Sequence, residues 1–260
     1  MRESSVKRMP EAEQLIERAV IMAAGVGQRL RPVTLTTPKP LVRVRGQRMI
    51  DSIVGALHKN GIYEIYVVVG YLKEQFYDWA KAYDGVKLIE NPWYAECNNI
   101  ASLYVAREKL QNAMILDGDQ IISEPAILHR EFKRSGYSCV WTEGHTDEWL
   151  LSTDENGIVT ACSRGGGSSG WQLYSVSRWT AEDGRRLSAQ LELEFMQRRN
   201  RDIYWDDVAL FCHPEDYSLG VYPIQQGSLL EIDGFSELCR TDNSYLDYKG
   251  GLRSDEKQNT

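Results

Sequence analysis

The feature that most constrains the fold is the run Ala19 to Ala24 (AVIMAA), six apolar residues that stop at Gly25-Val26-Gly27. An all-apolar run this short reads as a strand buried on both faces, as parallel sheets require, and the glycines after it read as a tight turn. A helical pattern over Met49 to Asn60, closed by Gly61, and a second apolar run, Glu64 to Gly70, complete a strand–helix–strand unit. Lys73 to Tyr83 then reads as helix, Val86 to Glu90 as strand, Ile100 to Leu110 as helix, and Ala113 to Leu116 as a buried strand ending at Asp117. This alternation predicts an α/β fold with a Rossmann-like, doubly wound, mostly parallel sheet.

After about residue 136 the segments become shorter and more alternating: Ser138 to Glu143, Leu150 to Thr153, Ile158 to Cys162 and Gln172 to Val176. They predict a small mixed-sheet extension. The expected organisation is therefore an N-terminal extension over 1–18, one domain over 19–240 divided near residue 136, and a polar, poorly ordered tail over 241–260. The extension is polar and helix-prone, and reads either as an added helix or as a linker. Gly165 to Gly170 (GGGSSG) reads as a mobile surface turn, with closure over the second substrate as the alternative.

Charge narrows the partners. Thirty Lys and Arg against 37 Asp and Glu leave −7, which argues against nucleic acid, so any phosphate site has to be local. No apolar run approaches the roughly 18 residues that span a bilayer, and Met1 to Pro10 is not followed by a signal-type apolar stretch. A cytoplasmic protein without membrane insertion is expected. Five scattered cysteines with no CxxC pair read as reduced structural thiols rather than disulfides or a zinc site.

The chemistry is concentrated in Ala23-Ala24-Gly25-Val26-Gly27-Gln28-Arg29-Leu30-Arg31-Pro32-Val33-Thr34, which continues to Thr37-Pro38-Lys39-Pro40-Leu41. Glycines admit a phosphate chain close to the backbone N–H groups, and Arg29 and Lys39 supply charge beside it. The third glycine of a dinucleotide fingerprint is replaced by Leu30, which disfavours a nicotinamide site. Two acidic spots stand out. Asp117-Gly118-Asp119 follows a buried strand, at the sheet edge where ligands bind, and reads equally as a turn. Glu231-Ile232-Asp233 alternates as a strand would, so both carboxylates share one side, which could also be a solvated face.

The pattern AAGxGxRLxPxTxxxPKPL resembles the signature of the nucleoside-triphosphate transferases that include the sugar-phosphate nucleotidylyltransferases. Within that superfamily the chain is similar to the bacterial lic-type choline-phosphate cytidylyltransferases and to relatives that activate 2-aminoethylphosphonate. The likeness runs over roughly 19–240, through Val69 to Phe76, Asn91 to Tyr94, Asn98 to Leu103, Glu148-Trp149, Tyr204-Trp205-Asp206 and Glu231 to Asp233. The resemblance implies a magnesium-dependent cytidylyltransferase that converts CTP and phosphocholine to CDP-choline and pyrophosphate by in-line attack on the α-phosphorus, with the mixed-sheet extension as its acceptor-binding half. It implies Mg²⁺ on Asp119 and Asp233 with Glu231 in support and Asp117 behind them, Arg29 on the β- and γ-phosphates, and Lys39 on the charge growing at the α-phosphorus.

For the nucleotide, Ala23, Ala24, Gly25 and Gly27 are the expected backbone contacts. Gln75, Asn98, Asn99 and Ser102 are the expected side-chain contacts, although Asn98-Asn99 also reads as a helix cap. For the acceptor, a quaternary ammonium is held by ring faces and flanking carboxylates, and Trp149, Tyr204, Trp205 and Asp206 match the choline-type positions. Taken one at a time, these aromatics are also ordinary core residues. A primary ammonium, as in phosphoethanolamine or 2-aminoethylphosphonate, would use Asp147, Glu148, Asp206 and Asp207 as hydrogen-bond acceptors instead. A sugar 1-phosphate acceptor and a nucleotide-binding module without turnover are the remaining alternatives.

Overall fold

The computed structural model describes residues 13–248; residues 1–12 of the expected extension and 249–260 of the expected tail lie outside them. The first strand, β1 (Arg18–Ala23), pairs in parallel with β2 (Glu64–Val69) on one side and β4 (Ala113–Asp117) on the other, and β3 (Val86–Glu90) pairs in parallel with β2. The order β3-β2-β1-β4 reverses direction between β1 and β4, which opens a crevice at their C-terminal ends. The sheet expectation therefore holds, with the loops after Ala23 and Asp117 side by side at the crevice.

Alternation along β1 shows why every residue after Arg18 is apolar. Ala19, Ile21 and Ala23 enter one core with Ile50, Ile53, Val54 and Leu57 of helix α1 (Met49–Lys59) and Phe76 of α2 (Glu74–Ala80). Val20, Met22 and Ala24 enter a second core with α3 (Ile100–Val105) and with Leu187 and Leu191 of α4 (Ala181–Glu192). Each fully buried aliphatic side chain contributes roughly 1.5–3 kcal/mol, so a polar residue anywhere in this strand would be costly.

The second half extends the same sheet. β5 (Gly136–Thr142), β6 (Leu150–Thr153), β7 (Val159–Ser163), β8 (Gly170–Trp179) and β9 (Gly220–Pro223) join through β8, whose final residues run antiparallel to β4. Helix α4 falls in a polar stretch whose start is marked by Thr180, which accepts from the Asp183 N–H at 3.0 Å. Its Gly184 is required because a Cβ there would lie 2.1 Å from the Leu110 carbonyl oxygen.

Both ends depart from expectation. Gln14–Leu15 is not helical: it forms a short antiparallel ribbon with Glu131–Phe132, because Ile16 is fully buried and needs the sheet side of the core. At the other end the chain does not turn polar and loose at Thr241. Helix α5 (Phe235–Thr241) and the turn after it bring Leu238 and Tyr245 against Leu30, Val33, Val42 and Ile232, underneath the glycine loop. The Gly165 to Gly170 turn is pinned by reciprocal backbone hydrogen bonds between Thr146 and Gly167, each 3.0 Å. All five cysteines are free thiols. No helix among the described residues is long and apolar enough to cross a membrane.

Candidate active site

A cleft of about 350 Å³ opens at the crevice between β1 and β4, lined by Ala23, Ala24, Gly25, Gly27, Arg29, Lys39, Asn99, Ser102, Asp117, Asp119 and Asp233 among others. The glycine loop is shaped by its own residues. Gly27 has φ +64°, which glycine adopts without strain, and its carbonyl accepts from the Thr34 hydroxyl at 2.8 Å. Tyr71 ties the same loop down twice, by its N–H to the Ala24 oxygen at 3.0 Å and its hydroxyl to the Thr34 oxygen at 2.9 Å. A Cβ on Gly27 would sit 3.0 Å from Lys39 Cβ, whereas one on Gly25 would meet nothing within 4 Å and project into the cleft.

Lys39 enters from a turn that begins after Pro38 and is 8% exposed. Its ammonium pairs with Asp119 and lies 3.3 Å from Asp233 Oδ1, which Arg29 Nη2 also meets at 2.9 Å. Burial alone would lower the Lys39 pKa, but the two carboxylates outweigh it and hold it above the ordinary lysine value. Arg29 leaves most of its side chain in solvent, free to meet a ligand.

Behind this pair is a concentration of acid. Asp117 is pushed up to about 8 by burial and by the charges of Asp119 and Asp206. Glu231 is also pushed up to about 8, by burial and by Asp119, Asp117 and Asp233, even though it accepts from Gln120 Nε2 at 2.8 Å. Glu148 is raised by burial and by Asp233, with Arg29 opposing. Asp206, 7% exposed with a buried oxygen lacking a hydrogen-bond partner, is pushed up to about 7 by burial and by Asp207. Carboxyls that resist ionisation side by side mark a place built to receive positive charge.

The donor set fits magnesium in a particular way. Asp119 and Asp233 converge on one point, and both offer hard oxygen. Among the described residues no group of three or more His, Cys, Asp or Glu side chains could hold a metal by itself. Magnesium accepts such a site, since it is commonly held by one or two carboxylates with water and substrate phosphates completing the shell. Glu231, expected as a third ligand, is bound to Gln120 and flanks the pair.

The remaining expectations divide. Ser102 is in the cleft wall, where its hydroxyl accepts from Asn91 Nδ2 at 3.0 Å. Asn99 does not cap α3 with its side chain; Oδ1 accepts from the Trp205 N–H at 2.9 Å, joining the cleft wall to the 204–207 segment. Asn98 lies outside the cleft lining and bonds Asn99 N and the Asp202 oxygen. Gln75 is also outside, where it donates to the Thr36 oxygen at 2.7 Å. Trp149 is partly buried, with Tyr204 edge-on at 5.6 Å, and Tyr204 is 46% exposed. Trp205 has no exposure and packs on Tyr137 and Trp179; it is core, not an open ring face. Sequence reasoning missed Arg164, which pairs with the buried Asp207 at 2.6 Å; a lone arginine beside a glycine-rich turn carries no local signal.

Comparison with known proteins gives a consistent result. The profile of the MobA-like NTP transferase domain matches residues 19–187. A 2-aminoethylphosphonate cytidylyltransferase from Lancefieldella rimae is 36% identical over 230 residues, covering 88% of this chain and 93% of the relative. A choline-phosphate cytidylyltransferase from Streptococcus pneumoniae is 33% identical over 220 residues, covering 85% and 94% respectively. Among solved structures, the CTP:phosphocholine cytidylyltransferase from S. pneumoniae superposes with a TM-score of 0.79 at 31% identity, over 87% of this chain and 98% of that one.

Proposed function

We propose that this chain, which belongs to the MobA-like NTP transferase family and is a nucleotidyltransferase of the cytidylyltransferase type, transfers CMP from CTP to a small phosphonate or phosphate bearing a primary ammonium, with 2-aminoethylphosphonate as the acceptor. The observation that carries this choice over phosphocholine is the wall of the site: Glu148, Asp117 and Glu231 crowd their carboxyls close to the Lys39–Asp119–Asp233 centre with Asp206 beside Asp117, while Trp205 is withdrawn into the core. A primary ammonium needs three hydrogen-bond acceptors, and carboxylates supply them. A trimethylammonium group needs ring faces.

In the proposed reaction an acceptor oxygen forms a bond to the α-phosphorus, and the bond from that phosphorus to the β-bridging oxygen breaks. Pyrophosphate leaves with the electron pair, and no protein nucleophile takes part. Asp119 and Asp233 would hold Mg²⁺, which when bound offsets the mutual repulsion of the two anionic substrates. Gly25 and Gly27 leave room for the phosphates at the backbone. Arg29 exchanges Asp233 for the β- and γ-phosphates, and Lys39, already protonated and desolvated, stands where charge develops.

The phosphocholine reading is supported by the exposed Tyr204 ring against Trp149 and by the similarity to the S. pneumoniae choline-phosphate enzyme. Pyrophosphate release with CTP and Mg²⁺, measured against 2-aminoethylphosphonate, phosphoethanolamine, phosphocholine and a sugar 1-phosphate, separates the two. The highest kcat/KM is expected for 2-aminoethylphosphonate, and a preference for phosphocholine would overturn the assignment.

A further inference from the structure

Arg164 follows the last residue of β7, and its guanidinium is seated over the ring of Phe211 at 4.1 Å and over that of Trp149 at 5.4 Å. Its Nη2 meets Asp207 Oδ1 at 2.6 Å. Asp207 is itself 1% exposed, and its other oxygen accepts from the Tyr204 N–H at 2.9 Å. Phe211 and Tyr204 both stand edge-on to Trp149. Two ring faces and one buried carboxylate around a single positive charge are the chemistry that retains a cation lacking N–H groups. Here the positive charge belongs to the chain.

We infer that Arg164 is a specificity-determining residue: it fills the Trp149–Phe211–Asp207 box and thereby closes it to quaternary ammonium head groups. A trimethylammonium group could enter only by expelling the guanidinium from a buried carboxylate, which would then exchange a direct ion pair for a cation that donates no hydrogen bond. The arginine is also held from behind. Ser163 Oγ donates to the Gly166 oxygen at 2.8 Å, and a Cβ on Gly166 would lie 1.8 Å from the Thr146 oxygen, so the turn after Arg164 is pressed onto the segment that leads into Glu148 and Trp149. Arg164 therefore cannot leave by a swing of its backbone without disturbing the acceptor wall. The inference rests on the aminophosphonate reading for its biological sense, but its test does not.

The test compares wild type, Arg164→Ala and Arg164→Lys, with kcat/KM measured for phosphocholine and for 2-aminoethylphosphonate at saturating CTP and Mg²⁺. Tetramethylammonium binding is followed in parallel by tryptophan fluorescence. In R164A the ratio of phosphocholine to aminophosphonate kcat/KM is expected to rise about tenfold or more over wild type, as one cation–π site becomes available. In R164K it should rise less than in R164A. Tetramethylammonium should quench R164A saturably and leave wild type unchanged. A ratio within twofold of wild type in folded R164A overturns the inference. If R164A does not fold, Arg164→Gln, which keeps a hydrogen-bond donor for Asp207 while removing the charge, is judged by the same ratio. A wild type that already prefers phosphocholine would refute the aminophosphonate reading, and the change in ratio on removing Arg164 would still decide the role of Arg164.

Discussion

Asp206 allows the cost of the acidic wall to be measured. Its carboxyl is buried, one oxygen has no hydrogen-bond partner, and the groups facing it are Asp207, Asp117, Cys162 and the Tyr137 hydroxyl, none of them a cation. Folding raises its pKa from 3.8 to about 7. Below pH 3.8 the acid is neutral in both states, and its contribution to stability is complete. As pH rises, the unfolded chain ionises first, and stability is lost at about 1.4 kcal/mol per pH unit until the folded carboxyl ionises near pH 7. The full loss is then about 4 kcal/mol, of which about 2 kcal/mol falls between pH 5 and pH 7, where the folded carboxyl begins to ionise. Asp206→Asn removes the titration while keeping the volume. Urea denaturation of both proteins without substrates should therefore show wild type losing about 2 kcal/mol more than the variant between pH 5 and pH 7, with the variant the more stable protein at pH 8. Parallel stability curves for the two proteins would refute the argument, because they would mean that Asp206 is ionised throughout or solvated on folding.

Removing the Lys39 ammonium as Lys39→Met should lower kcat by about 100-fold or more with a small change in KM for CTP, the signature of an interaction made chiefly in the transition state, read from steady-state pyrophosphate release. Gly25→Ala and Gly27→Ala should separate ligand space from loop geometry. The first places a methyl in the open cleft and should raise KM for CTP about tenfold at unchanged Tm, whereas the second strains a positive φ and presses on Lys39, lowering both Tm and kcat. Trp205→Ala should cost about 3–5 kcal/mol in chemical denaturation as a core truncation, and Trp205→Phe should restore most of the stability without altering acceptor preference. An acceptor-specific rise in KM for W205F would return that residue to the site.

The parallel half of the fold was legible because burial on both faces writes itself into composition: the strands at Ala19, Glu64 and Ala113 end within a residue of where their apolar runs do. The candidate site was legible for a related reason, since glycine, lysine and carboxylate near strand ends are what phosphate chemistry uses, and Lys39, Asp119 and Asp233 come together there. What escaped was whatever depends on partners distant in the chain. Helix α4 is polar because one face is solvated, so its pattern is weak, and Tyr245 looks like tail until Leu30 and Val33 are seen beneath it. Trp205 and Trp149 are the same residue type beside similar acids, yet one is sealed by Tyr137 and Trp179 and the other meets Arg164, 15 positions away in sequence. On the proposed reading, acceptor choice rests on contacts that join the segments around Trp149, Arg164 and 204–211 in space. A substitution at position 164, outside every motif, is expected to change it more than one at Trp205, which matched the choline pattern but is sealed in the core.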